Sequence, residues 1–198
     1  LEVLATPDAR VIPLASGLAD DLFEHDGQIT KREIRALTLS ALAPTAGERL
    51  WDIGCGSGSV SIEWMLAHPA NTAIAFEADP VRAARAARNA ASLGVPDLRI
   101  EQDRAPDALA GQPTPDAVFI GGGARDAGVI AAAWNALRPS GRLVANAVTV
   151  ETEAALVAAR ERYGGSLTRL SVERLEPVGR LHAFRPAMSV TQWAAVKP

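Results

Sequence analysis

Cysteine, lysine, histidine and aromatic side chains are all scarce in this chain of 198 residues. The lone Cys55 excludes an internal disulfide and fits a reducing, cytoplasmic setting. His25, His68 and His182 are the only histidines, and no two stand at metal-ligand spacing, so no metal site is expected. No apolar run approaches the ~18 residues of a membrane span, and no signal-peptide pattern opens the chain. A basic surplus is missing too: the net charge is −3, which argues against a nucleic-acid partner. What remains is a chain with 48% hydrophobic residues, enough for one well-buried α/β domain. Its only lysines are Lys31 and Lys197; the other basic residues are arginines. The planar arginine fork suits a polyanionic substrate. The alanine-rich composition accounts for the same bias, so arginine content alone decides nothing.

Short apolar runs alternate with longer helical stretches. Strands are expected at 49–53, 72–76, 98–101, 116–120 and 143–147, with helices at about 31–42, after Gly58, from Pro80 to near Gly94, at 127–137 and at 151–162. Thr30 and Glu33 fit a capping box for the first helix, with Ile29 and Ile34 as its hydrophobic staple. Asp79-Pro80 fits an N-cap followed by proline at N1. The βαβ rhythm implies right-handed crossovers and a mostly parallel sheet. Strands at 166–176 and 190–196, joined without a helix across a turn-rich insert, imply an antiparallel finish and seven or eight strands in all. Residues 1–16 are expected to be a linker or the remnant of an upstream domain, and 17–198 the functional domain.

The sharpest motif is Asp52-Ile53-Gly54-Cys55-Gly56-Ser57-Gly58, at the end of the first strand. Glycines there admit positive φ and close ligand approach. The dinucleotide pattern G-x-G-x-x-G fails, because Ser59 or Ser61 would stand where its third glycine belongs. The spacing instead resembles motif I of S-adenosylmethionine-dependent methyltransferases with a Rossmann-like fold. On that resemblance, the glycines pass under the methionine part of the cofactor and Asp52 orients its ammonium group. Glu77, at the end of the second strand, is positioned to accept both ribose hydroxyls. Asp103 and Ala105, after the third strand, are candidates for the adenine. The reading of Asp103 as a turn residue holding its own backbone stays open, as does a purely structural reading of the loop. Cys55 lies between two glycines with no histidine nearby in sequence, which favours a small packing residue over a nucleophile. Gly121-Gly122-Gly123 replaces the Asn/Asp-Pro-Pro-aromatic motif of many amino-group methyltransferases and leaves room for a large, flat substrate.

Further segments narrow the resemblance. Gly17 to Phe23, Ile29 to Arg35, Trp51 to Gly58, Phe119 to Gly123 and Gly141 to Thr152 together resemble the corrin-ring methyltransferases of cobalamin biosynthesis. The match is to those that methylate C15 of a precorrin and decarboxylate its C12 acetate. Such enzymes occur alone or as the C-terminal half of a protein whose other half methylates C5. The resemblance implies a class I fold, S-adenosyl-L-methionine as cofactor, a precorrin as substrate and a homo-oligomer, specifically a tetramer. It also implies that Thr30 and the turn at Ala105 contact the cofactor. A polycarboxylate ring needs cationic partners, for which Arg125, Arg180 and His182 are the candidates. The competing readings are a methyltransferase for RNA or protein, and a non-catalytic domain supporting a fused partner.

Overall fold

The computed structural model describes residues 11–126 and 128–198. Five apolar segments make the parallel body of one sheet: β1 (Arg49–Ile53), β2 (Thr72–Phe76), β3 (Arg99–Glu101), β4 (Ala117–Ile120) and β5 (Arg142–Ala147). Helix α1 (Arg32–Leu42) precedes them. Helices α2 (Ser59–Ala67), α3 (Pro80–Ser92) and α4 (Val129–Ala136) connect them, and α5 (Val150–Tyr163) follows. β6 (Ser166–Leu170) forms the far edge, and β9 (Val190–Val196) inserts antiparallel between it and β5. The order β3-β2-β1-β4-β5-β9-β6 is the mostly parallel arrangement with an antiparallel finish expected from the sequence.

Strand residues alternate between two cores. Trp51, Ile53, Phe76, Val118 and Ile120 pack with Trp134 of α4 and Leu156 of α5 on one face. Leu50, Ala73, Ala75 and Phe119 pack with Leu39, Ile62 and Trp64 of α1 and α2 on the other. A sheet covered on both faces needs near-continuous apolar strands, which is why β1, β2 and β4 stand out in the sequence. The chain order reverses between β1 and β4, and ligands of open α/β sheets bind at the carboxyl ends of such a switch point.

Three expectations need correction. The capping box does not form: α1 begins at Arg32, and its N-cap Lys31 makes no side-chain cap bond. The Glu33 carboxylate that the box would use is engaged elsewhere, paired with Arg174. The expected strand at 166–176 is two strands. The chain leaves the sheet after Leu170, and β7 (Glu173–Val178) pairs with β8 (Leu181–Pro186) in a separate hairpin made from the turn-rich insert. A bond between Ser171 Oγ and Ser189 Oγ (2.9 Å) and one from Ala187 N to Val172 O (2.9 Å) pin its base. The fourth helix starts at Val129 behind Gly128 rather than at Ala127, which lies outside the described residues. The linker expected at 1–16 lies mostly outside them as well.

Candidate cofactor and substrate cavity

Local backbone geometry builds the site at the switch point. As β1 ends, the Gly54 and Cys55 amides donate to Phe76 O (2.9 and 3.2 Å), tying the turn to the end of β2. As β4 ends, the Gly121 and Gly122 amides donate to Ile53 O (2.9 and 3.3 Å). The two turns pack backbone to backbone: a Cβ on Gly54 would stand 2.8 Å from Gly122, at a φ of +71°. Gly58, at φ +75°, is the N-cap of α2, and a Cβ there would press on Ala86 of α3 at 3.1 Å. Gly54 thus lets the two loops approach, and Gly58 lets two helices approach.

Asp52 is fully buried beneath this turn. Its Oδ2 accepts from Ser61 N (3.2 Å) and Ser61 Oγ (2.7 Å), holding the first turn of α2. Its Oδ1 has no partner. Among the described residues, that atom and Ser57 Oγ are the two buried side-chain polar atoms without a hydrogen bond. Burial pushes the Asp52 carboxyl up to about 6, against the pull of the Ser61 bonds, with the nearby Glu77 charge adding to the rise. A buried carboxylate with one unused oxygen is costly unless a donor reaches it. A ligand ammonium is such a donor, so this observation fits an amino-acid-bearing cofactor. Burial, reinforced by the Asp52 and Glu77 charges, pushes the Cys55 thiol well up, which leaves it a neutral packing group.

Glu77 closes the other side of the turn. Its Oε2 accepts from Gly56 N (2.9 Å) and its Oε1 from Asp79 N (3.0 Å), which fixes both oxygens and leaves each with lone-pair capacity for a diol. Asp79 caps α3 through Val81 N and Arg82 N, as its place before Pro80 implied.

Residues 17–31 cross over this end of the sheet as a strap. Arg35 of α1, wholly buried, donates to Glu63 Oε1 (2.5 Å) and to the carbonyls of Leu18 and Thr30, and lies 4.7 Å from the Phe23 ring centroid. Glu63 also accepts from Gly17 N and Leu18 N. Asp26 pairs with Arg82 (3.3 Å) and Arg85 (2.9 Å), and Asn89 bridges Glu24 to the Ser57 carbonyl. The strap is therefore fixed to both α2 and α3, the helices behind the glycine loop.

Strap, glycine loop and strand ends enclose a cavity of about 720 Å³. Thr30, Gly54, Cys55, Gly56, Glu77, Asp103 and Ala105 line it. Asp52, Ser57 and Gly58 stand outside that lining, and Asp103 accepts from its neighbour Arg104 N (2.7 Å), as a turn residue does. Arg125, Arg180 and His182 are exposed and do not line the cavity; Arg180 sits in the turn between β7 and β8, and His182 on β8. Lys31, Arg104, Arg174 and Asn146 do line it, and sequence reasoning gave none of them a role. Asn146 is oriented by a buried network: its Nδ2 donates to Thr38 Oγ1 (2.9 Å) and its Oδ1 accepts from Gln192 Nε2 (3.0 Å). Among the described residues, no cluster of three His, Cys, Asp or Glu side chains is placed to hold a metal.

Comparison with known proteins follows the same lines. A family profile described as the precorrin methyltransferase domain matches residues 21–197. A precorrin-6Y C(5,15)-methyltransferase [decarboxylating] from Sinorhizobium sp is 58% identical over 197 residues, covering 100% of this chain and 48% of that protein. A probable cobalt-precorrin-6B C(15)-methyltransferase (decarboxylating) from Pyrobaculum calidifontis is 34% identical, over 90% of this chain and 96% of that one. The crystal structure of the C-terminal domain of precorrin-6Y C5,15-methyltransferase from Rhodobacter capsulatus superposes with a TM-score of 0.88 at 44% identity, over 94% of this chain and 100% of that one. The chain thus spans about half the length of two of the curated relatives it matches, 48% and 47%, and nearly the whole of a shorter one.

Proposed function

The chain belongs to the precorrin methyltransferase domain family, and from that premise we propose that it methylates C15 of a precorrin and removes the C12 acetate carboxylate, in cobalamin biosynthesis. The observation that carries this reading is the unsatisfied carboxylate oxygen of Asp52, buried beneath the glycine turn that lines a cavity of about 720 Å³. The cofactor is S-adenosyl-L-methionine, whose sulfonium supplies an activated methyl group. Asp52 accepts from its ammonium group, directly or through water. Gly54, Cys55 and Gly56 flank its methionine part, with Ser57 and Gly58 behind them, and Glu77 accepts from its ribose hydroxyls. Thr30, Asp103 and Ala105 border the adenosyl end. Because the methyl group is already activated, the protein's main task is placement, and holding two reactants in line supplies much of a barrier reduction. The strap excludes water from above, and the glycine turn after β4 leaves the ring a flat approach.

The relatives that are twice as long support an upstream partner domain that methylates C5, joined through the segment before Gly17. We place the protein in the cytoplasm, on the strength of its single cysteine; no helix among the described residues is long and apolar enough to cross a membrane. The β7–β8 hairpin supports the tetramer that the family resemblance implies, because Leu175, Leu181 and Phe184 expose apolar surface with no partner in this copy. In that assembly Arg180 and His182 meet the substrate of a neighbouring copy, and Arg125 meets it from the rim of its own. Arg180→Ala should then raise substrate KM in steady-state kinetics while cofactor affinity is unchanged; unaltered kinetics would remove Arg180 from the site.

The decisive experiment incubates the protein with methyl-labelled cofactor and a precorrin, then weighs the product. Gain of one methyl and loss of CO₂ are expected. Label in RNA or protein but not in the tetrapyrrole would overturn the substrate, and absence of both label transfer and cofactor binding would mark a non-catalytic domain.

A further inference from the structure

The cavity divides by chemistry. Glu77, Asp103 and the glycine turn give the cavity a polar part that suits the cofactor, whereas Ile34, Val148, Val172, Met188 and Val190 give it an apolar part, and Lys31, Arg104 and Arg174 are the cations of its lining. Two of those cations are parked on acids that also line the cavity. Arg174, at the root of the hairpin, pairs with Glu33 in the first turn of α1, both side chains 43% exposed. Arg104 lies 3.5 Å from Asp126 across the turn after β4. Lys31, at the start of α1, makes no ion pair among the described residues.

An exposed ion pair contributes little to stability, so neither arginine is held firmly. An arginine fork on a carboxylate can pass to another carboxylate of the same geometry without losing its bonds. Resting on the proposed precorrin reaction, we propose that Arg174, with Lys31 and Arg104, receives the acidic side chains of the tetrapyrrole, and that Glu33 holds Arg174 in place until a substrate carboxylate displaces it. Among the described residues, Arg174–Glu33 is also the one ion pair that joins the hairpin to the body. The exchange therefore couples substrate arrival to the position of the hairpin at the cavity mouth. The apolar part receives the ring face, and the cations receive its edge.

This assignment separates the two members of the pair, which a merely structural tie would not. If Glu33 competes with the substrate, removing it leaves Arg174 more available, whereas removing Arg174 loses the contact. The test measures binding of uroporphyrin, a stable tetrapyrrole polycarboxylate, by fluorescence in the presence of S-adenosylhomocysteine, alongside KM for a precorrin. Arg174→Gln should weaken porphyrin binding and raise KM by about two- to fivefold, the range of one half-exposed ion pair. Glu33→Gln should leave both unchanged or improved. S-adenosylhomocysteine affinity, read by calorimetry, should be unaltered in each variant. Failure of Arg174→Gln to weaken binding overturns the proposal, as does parallel loss in both variants. A wild-type protein that binds uroporphyrin but leaves a precorrin unmethylated sinks the proposed reaction and not this inference. One that methylates the precorrin while Arg174→Gln behaves as wild type sinks the inference alone. One that neither binds nor methylates overturns both.

Discussion

Gly54→Ala should abolish detectable cofactor binding and turnover while the sheet stays folded. Two costs combine at this position. Its φ of +71° disfavours any residue with a Cβ, and the added methyl would stand 2.8 Å from Gly122 Cα and N and 3.0 Å from Gly122 O. Those atoms are backbone, so no rotamer change relieves the clash. One of the two turns must move, and each is tied to the opposing strand end through Phe76 O and Ile53 O. Left-handed strain of about 1–2 kcal/mol and overpacking of about 1–3 kcal/mol give an expected stability loss of about 2–5 kcal/mol. Gly56→Ala is the control. It has a φ of +57°, but its Cβ would meet only Gln28 O at 3.7 Å, so the strain alone applies. Urea denaturation with calorimetric titration of S-adenosylhomocysteine checks both. Equal stability losses in the two variants would show that the contact with Gly122 is unimportant.

That contact joins residues that sequence reasoning treated separately. The glycine loop and Glu77 were legible because their signals are local: a spacing inside one strand-to-helix turn, and an acid at the end of the next strand. β1 and β2 were legible to the residue because both sheet faces are covered, which buries every residue after the first and makes the strands mostly apolar with sharp ends. β7 and β8 were not, because all their residues are exposed and no core imposes alternation on them. Arg174 was missed for a related reason. It meets Glu33 across 141 residues of sequence, and nothing local distinguishes it from the other arginines of the chain. Arg180 and His182 drew attention because they lie between the last strands, but that segment projects as a hairpin and carries them outside the lining of this copy's cavity. The capping box at Thr30 failed for a similar reason: Arg174, from the hairpin, takes the Glu33 carboxylate that the local motif would have used.

Asp52 should make cofactor affinity depend on pH, and Asp52→Asn should remove that dependence. Burial raises the carboxyl to about 6 in the folded chain, against about 3.9 when unfolded. A carboxyl raised on folding contributes stability that is fully present below pH ~4 and lost as pH rises through about 6. For this residue alone, the loss between pH ~4 and pH ~8 is on the order of 3 kcal/mol. Asp52→Asn keeps an oxygen for Ser61 but carries no charge, so its stability should lack that component, which denaturation at the two pH values would show. Cofactor binding has the opposite sign. The ammonium group needs the ionised carboxylate, so binding below pH ~6 must expel a proton, and affinity should rise toward tenfold per pH unit there before levelling above it. Asp52→Asn should bind S-adenosylhomocysteine about a hundredfold more weakly near neutrality, since the buried charge-assisted contact is lost, and its affinity should be flat between pH ~5 and pH ~7. Calorimetry in two buffers of different ionisation enthalpy would count the released proton directly. A wild-type profile without proton release near pH 6 would mean that the ligand ammonium does not reach Oδ1, and that the unpaired oxygen serves a water instead. The same carboxylate thus weakens the empty fold above pH ~6 and strengthens the occupied one, as expected of a charge kept for its ligand rather than for folding.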